Sequence, residues 1–200
     1  MKTVACALLS VLVLLQVACQ PSADSADGKK VPDAGKKAPE GDPQGRELMA
    51  GLRNMALTMT PDQINVTVPS AGRGIWGSVT DFGSPEGTAT LVTFLGGSTS
   101  LYFSSGGGII GTGDSSEDVR KASRTLLAEL ENCTAQMEAR SLQKLPTGDS
   151  VRFYVHTRDG LLSTAEIPAS DLQSSEHPLF PCYAAAMKVF TQVRLASEKK

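Results

Sequence analysis

Two very short turns constrain what this chain can fold into. Gly96-Gly97 separates two runs rich in Thr, Val, Leu and Phe, and Asp159-Gly160 stands between two further strand-like runs. Turns of this length join strands in antiparallel order, because a parallel pair needs a crossover connection of about a dozen residues or more. The sequence therefore predicts an antiparallel sheet.

Five segments have the composition or the alternation of strands: 74–82, 88–95, 99–104, 151–156 and 161–167. The segment 60–70 fits either a helical turn or a short strand at 64–68.

Apolar residues at three- and four-residue spacing predict three helices. The first is capped by Asp42, followed by a proline, and ends near Thr58. The second is opened by the polar cluster 114–117, in which we expect Ser115 to be the cap, and carries its apolar stripe to Met137. The third follows Pro181.

The order α-β-β-β-α-β-β-α predicts an α+β domain, with an antiparallel sheet of about five strands and flanking helices. It loosely resembles the profilin-like and the roadblock/longin-like domains, which also flank a five-stranded antiparallel sheet with helices. Those domains run their strands as two, helix, three, so the resemblance implies a fold class and no partner or activity.

Two stretches of the domain also resemble a pattern found in bacterial proteins of unknown activity. They are SLYFSSGGGIIG from Ser100 and VRFYVHTRDG from Val151. The resemblance implies a shared fold over about residues 76–195 and says nothing of mechanism.

The N-terminus has the order of a secretory signal, because a single lysine precedes an apolar run over 4–15 and small Ala18 stands directly before Cys19. The run is too short for a spanning helix, which needs about 20 apolar residues. This end resembles the signal peptides of bacterial lipoproteins, whose lipobox ends in a small residue and an acylated cysteine, although Gln16 stands where that family usually has Leu. The resemblance implies a signal peptide over 1–18 and lipid attachment at Cys19.

A lipobox implies a membrane anchor in the bacterial cell envelope. Each buried methylene of an acyl chain such as palmitate contributes about 0.8 kcal/mol, so several chains make a stable anchor. Gln20 stands where enteric-type sorting uses Asp for inner-membrane retention, so the resemblance implies the outer membrane in a cell that has one. The alternative is an ordinary exported protein in which the cysteine carries no lipid.

Residues 20–45 contain no aromatic residue and a single large aliphatic one, Val31. This composition cannot bury enough apolar surface to offset chain entropy. The stretch also repeats itself, with GKKVPDA followed at once by GKKAPEG. We therefore expect the lipidated cysteine and a disordered linker over 19–45, and a single α+β domain over 46–200.

Charge and cysteine usage agree with an exported protein that binds no nucleic acid. The formal net charge of −2 becomes about −3 when Lys2 leaves with the leader, which gives no electrostatic footprint for a polyanion. Cys133 and Cys182 remain in the domain, where an oxidising compartment permits a disulfide. Two buried free thiols are the alternative, because Cys133 lies on an apolar helix stripe.

The Gly-rich stretch 104–113 contains the pattern G-x-G-x-x-G. A dinucleotide site needs this pattern between a strand and the helix of a parallel βαβ unit, whereas here it leaves a hairpin strand. We expect the glycines to serve turns and close backbone approach, with the two isoleucines that follow plugging the core. The alternative is an anion or small-solute site built from backbone N–H groups. Its candidate residues are Ser105, Gly106, Gly108 and Gly111.

Catalytic and metal signals are weak. The two histidines, His156 and His177, lie in no motif, and ligand-type side chains do not cluster. His156 alternates with Arg152 and Tyr154 on one strand face, and a tyrosine flanked by cations suits a contact with a partner. A covering helix is the alternative that the three predicted helices favour. We predict no cofactor, no metal and no enzymatic activity.

The sequence thus predicts a membrane-anchored envelope lipoprotein that displays a small non-enzymatic binding domain. Its expected partners are membrane lipid, through acylated Cys19, and an envelope protein or another envelope component. The alternative is an exported ligand-binding protein that holds an anion or small solute at 104–113.

Overall fold

The computed structural model describes residues 42–139 and 141–199. The predicted signal peptide, Cys19 and most of the predicted linker lie outside the described residues. They therefore remain predictions.

The described part contains five α-helices: α1 Pro43–Thr58, α2 Thr112–Ser115, α3 Glu117–Cys133, α4 Ala169–Leu172 and α5 Phe180–Ser197. Short 3₁₀ helices span Pro61–Ile64 and Thr134–Gln136. The three long helices are the three predicted from apolar spacing. None of the described helices is both long and apolar enough to cross a membrane.

α1 begins inside the stretch predicted to be linker. The Asp42 carboxylate accepts hydrogen bonds from the N–H groups of Gln44 and Gly45, both at 3.2 Å. Pro43 occupies the first turn, where its missing N–H leaves no hydrogen bond unmade. The predicted cap at Asp42 is confirmed, and residues 43–45, which were also assigned to the linker, form the first helical turn.

α3 differs from its predicted bounds at both ends. Ser116, not Ser115, is the N-cap, and its hydroxyl accepts the Val119 N–H at 3.4 Å. The helix ends at Cys133, although Met137 is buried in the same core. The apolar spacing thus predicted burial correctly and helix length incorrectly.

Eight strands of the described part form one sheet: β1 Gly77–Ser84, β2 Gly87–Phe94, β3 Thr99–Phe103, β4 Gly108–Ile109, β5 Glu138–Ala139, β6 Ser150–Thr157, β7 Gly160–Ser163 and β8 Ile167–Pro168. Their order is β4-β3-β2-β1-β6-β7-β5, with β8 beside β6, and every pair is antiparallel. The predicted α+β class is confirmed. The strand count exceeds the predicted five because the two-residue strands β4 and β5 were not recognisable from composition, and because the predicted strand 161–167 forms two strands, β7 and β8.

The predicted strand 161–167 is divided into β7 and β8 at Thr164. The Thr164 hydroxyl accepts the Phe153 N–H at 3.2 Å, and the Thr164 N–H donates to the Phe153 carbonyl at 3.0 Å. A side-chain acceptor has replaced the backbone carbonyl that would continue the ladder, so regular pairing stops at Ser163.

Alternate residues of β6 enter two separate apolar cores. Val151, Phe153 and Val155 pack with α3 and α5 in the larger core. Tyr154 points to the opposite face, into a smaller core formed with the inner face of α1. Helices therefore cover both faces of the sheet, and every residue of β6 is buried.

The structure joins Cys133 and Cys182 in a disulfide. Cys133 is the last residue of α3, and Cys182 lies in the first turn of α5. Both residues are buried in the larger core. The bond ties together the two helices that cover one face of the sheet.

Candidate functional site

The Gly-rich stretch 104–113 forms a hairpin and a helix start. Residues 104–107 turn the chain from β3 into β4, closed by hydrogen bonds from the Phe103 N–H to the Gly107 carbonyl at 3.1 Å and from the Gly106 N–H to the Phe103 carbonyl at 2.9 Å. Gly106, Gly107 and Gly111 have φ angles of 105°, 84° and 68°, a region that other residues rarely adopt. These glycines are needed for the turns.

Two more glycines allow close backbone approach. A Cβ on Gly108 would stand 2.6 Å from the Leu101 carbonyl oxygen, and one on Gly113 would overlap the Gly97 carbonyl oxygen. The prediction that both isoleucines plug the core is wrong for Ile110, which is 62 % exposed, although the other isoleucine packs against the larger core.

The same loop is poorly arranged for an anion. The Gly111 N–H donates to the Ser100 hydroxyl at 3.2 Å, and the Gly106 N–H is used within the turn. The Asp114 carboxylate lies next to Gly111, where its charge repels an anion. Ser105 is exposed. Gly106 and Gly111 are explained by their positive φ angles, and Gly108 by close backbone approach.

The structure places Arg152, Tyr154 and His156 together on one strand face, as the alternation predicted, but all three are buried at 8 %, 0 % and 4 % exposure. α1 lies over Tyr154 and His156, whereas Arg152 donates to the Lys144 carbonyl in the segment before β6. None of these side chains is therefore exposed for contact with a partner. The alternative prediction, that a helix covers this face, is confirmed for Tyr154 and His156.

A buried ion pair fixes α1 to this face of the sheet. Arg53, on the inner face of α1, donates to Asp81 of β1 through Nε at 3.0 Å and Nη2 at 2.6 Å. Thr90 donates to the same carboxylate at 2.6 Å, and the Tyr154 ring lies 5.6 Å below the guanidinium. Burial disfavours the charged guanidinium, but the hydrogen bond and charge of Asp81 outweigh it and raise the pKa of Arg53.

Sequence reasoning missed this pair. Asp81 could have indicated the pair, because it lies in the middle of a run of strand-forming residues and a carboxylate inside a buried strand requires a partner. Arg53 then falls on the same helix face as Met49 and Ala56, which the apolar spacing had placed inward.

His156 is a buried, neutral side chain. Its Nε2 donates to the Ala56 carbonyl at 2.9 Å, since a carbonyl can only accept, and its ring lies 4.4 Å from the Trp76 ring. Burial lowers the pKa of His156 to about 4, against the opposing effect of the Ala56 hydrogen bond. Nδ1 is left as an acceptor, with no hydrogen-bond partner among the described residues.

A cleft of about 290 Å³ opens beside His156. It lies between the C-terminal end of α1, the following 3₁₀ helix and the β6–β7 hairpin. Its walls are mainly apolar in area, although three threonines also line it. The apolar residues of the lining are Leu57, Met59, Pro61, Val68, Trp76 and Leu161. Cavities that bind small molecules have this character and start at about this size.

Arg158 is the one formally charged residue among the described residues that line the cleft, because His156 is neutral. It is exposed in the β6–β7 turn, and its Nη2 donates to the Pro69 carbonyl at 2.6 Å. Trp76 donates its ring N–H to the Thr157 carbonyl at 3.2 Å, which fixes the indole in the wall. We call this site the Trp76 cleft.

Other ligand signals are few. Within residues 42–139 and 141–199, no three His, Cys, Asp or Glu side chains come together to hold a metal ion.

No protein-family model, curated protein or solved structure was found to match the chain.

Proposed function

We propose that the chain is a membrane-anchored lipoprotein of the bacterial envelope, attached through acylated Cys19, and that its domain is a non-enzymatic binding module. The observation that carries the proposal is the Cys133–Cys182 disulfide. Disulfides persist in oxidising compartments and are rare in the cytosol, so this bond supports export. The lipobox at Ala18 and Cys19 supplies the attachment.

The surroundings of His156 support a binding role over catalysis. A general base works best with a pKa near the operating pH, whereas the pKa of this histidine is lowered to about 4. Its Nε2 is occupied by a backbone carbonyl, and its ring contacts are the aromatic rings of Trp76 and Phe94. None of these three contacts is with a nucleophilic side chain.

The covered sheet narrows the choice of binding surface. α1 occupies one face, and α3 with α5 occupies the other, so the broad faces are used for folding. The Trp76 cleft is concave, and several of its apolar residues, Met59, Val68 and Leu161 among them, are only half-buried. It is the site that we propose for binding.

Intact mass of the protein extracted from its native membrane tests attachment and disulfide together. We expect a chain that begins at an acylated Cys19, with two cysteines that react with an alkylating agent only after reduction. Cys19→Ser should release the protein from membranes, whereas the matched control Cys6→Ser, upstream of the predicted cut, should not. Membrane retention of the Cys19→Ser protein would refute the anchor.

A further inference from the structure

The apolar walls of the Trp76 cleft define the body of its ligand. An indole ring, a proline and aliphatic side chains, together with three threonines, line this open cleft of about 290 Å³, which suits one aromatic ring or a branched aliphatic group. The neutral His156 also lines this wall and adds no charge to it. A ligand that is large, or that carries a charge on the part facing these walls, would leave the apolar surfaces unmatched.

Arg158 defines the polar end of the ligand. Arg158 lines the cleft, and one of its terminal nitrogens donates to the carbonyl of Pro69, the residue after the lining residue Val68, at 2.6 Å. Its remaining N–H groups have no hydrogen-bond partner among the described residues. A planar guanidinium with free N–H groups matches a carboxylate in geometry and charge.

We propose that the Trp76 cleft binds a small apolar carboxylate, with its aromatic or branched body against Trp76 and its carboxylate on Arg158. This rests on the proposed function, because it names the ligand class of the same binding module. The carboxylate belongs either to a free acid or to the C-terminus of a peptide with an apolar last residue. Both present the same chemistry to the cleft.

Trp76 allows a direct test because it is the single tryptophan of the chain. Its emission is recorded while 4-phenylbutyrate is added to the full chain carrying Cys19→Ser, which needs no detergent that could enter an apolar cleft. The matched neutral probe is 4-phenylbutyramide. The peptide probe is N-acetyl-Ala-Ala-Phe with a free or an amidated C-terminus.

We expect a saturable change in emission, with a dissociation constant on the order of 1 mM or tighter for at least one acid, and binding about ten-fold weaker for its amide. Arg158→Gln should abolish the preference for the acid, whereas Arg158→Lys should keep part of it. Arg124→Gln, on the exposed face of α3, is the matched control and should change nothing. Selective binding of the free acid or of the peptide identifies the source.

Equal binding of acid and amide would overturn the carboxylate assignment, and so would a preference that survives Arg158→Gln. The absence of any saturable change with all four probes would overturn the ligand class. Neither failure would contradict acylation of Cys19 or the disulfide, because the mass measurement tests those two predictions independently.

Discussion

Acidification from pH 7 to pH 5 is expected to destabilise the domain through His156. Burial lowers the pKa of this histidine from 6.5 to about 4 in the folded chain. Below pH 6.5 the unfolded chain therefore takes up a proton that the folded chain does not. The stability linked to this group is complete above about pH 6.5, falls as the pH drops towards 4 and stays level below that.

The magnitude follows from the two pKa values. Each unit of difference corresponds to about 1.4 kcal/mol, so the loss is about 2 kcal/mol at pH 5 and about 3 kcal/mol once both states are protonated. A loss of 2 kcal/mol is a large share of the 5–15 kcal/mol that folded domains typically have.

Urea unfolding at pH 7.0, 6.0 and 5.0, with wild type and His156→Gln compared at each pH, isolates this contribution. Glutamine can still donate to the Ala56 carbonyl but does not titrate. Hydrogen bonds from Arg120 and Ser150 lower the pKa values of Glu117 and Glu166 respectively. The stability that these two carboxylates contribute is lost in acid to the same extent in both proteins. Parallel curves for the two proteins from pH 7 to pH 5 would refute the reasoning.

Three further changes test the contacts that hold the domain together. Arg53→Met leaves the Asp81 carboxylate buried without its cation and should cost about 3–5 kcal/mol in thermal or urea unfolding, whereas Arg53→Met with Asp81→Leu should recover part of that loss; equal losses would contradict an ion-pair role. Replacing Cys133 and Cys182 by Ala removes a cross-link over 49 residues and should cost about 4 kcal/mol, with no further effect of a reductant. An unchanged urea midpoint would show that the bond does not form. Gly51→Ala, at a helical position with open space around it, should stabilise the protein by up to about 1 kcal/mol, and a loss of stability would mean that this side of α1 is covered.

The hairpins were predictable because their signals are local. Gly97, with a φ of 97°, lies in its predicted turn. Gly160, with a φ of 126°, is the first residue of β7, so the second turn consists of Arg158 and Asp159, one residue before its predicted place. The end of α3 was not predictable in the same way. Apolar spacing reports which residues are buried, and Met137 is buried although it follows the helix.

The candidate site was only partly predictable. Strand alternation placed Arg152, Tyr154 and His156 on one face, but which element covers that face depends on contacts over about a hundred residues of sequence, such as His156 to Ala56. The Trp76 cleft is assembled from four separate segments of the chain. No periodicity in any one of them signals a shared cavity.

The direction of α1 has a mechanical consequence. The described chain enters the domain at Asp42, while the Trp76 cleft lies at the other end of a 16-residue helix, about 24 Å away along its axis. A pull on Asp42 would act first on α1 and would reach the cleft last. Arg53 is the eleventh of the sixteen residues of α1, so the load would reach its ion pair with Asp81 before it reaches the end of the helix that lines the cleft.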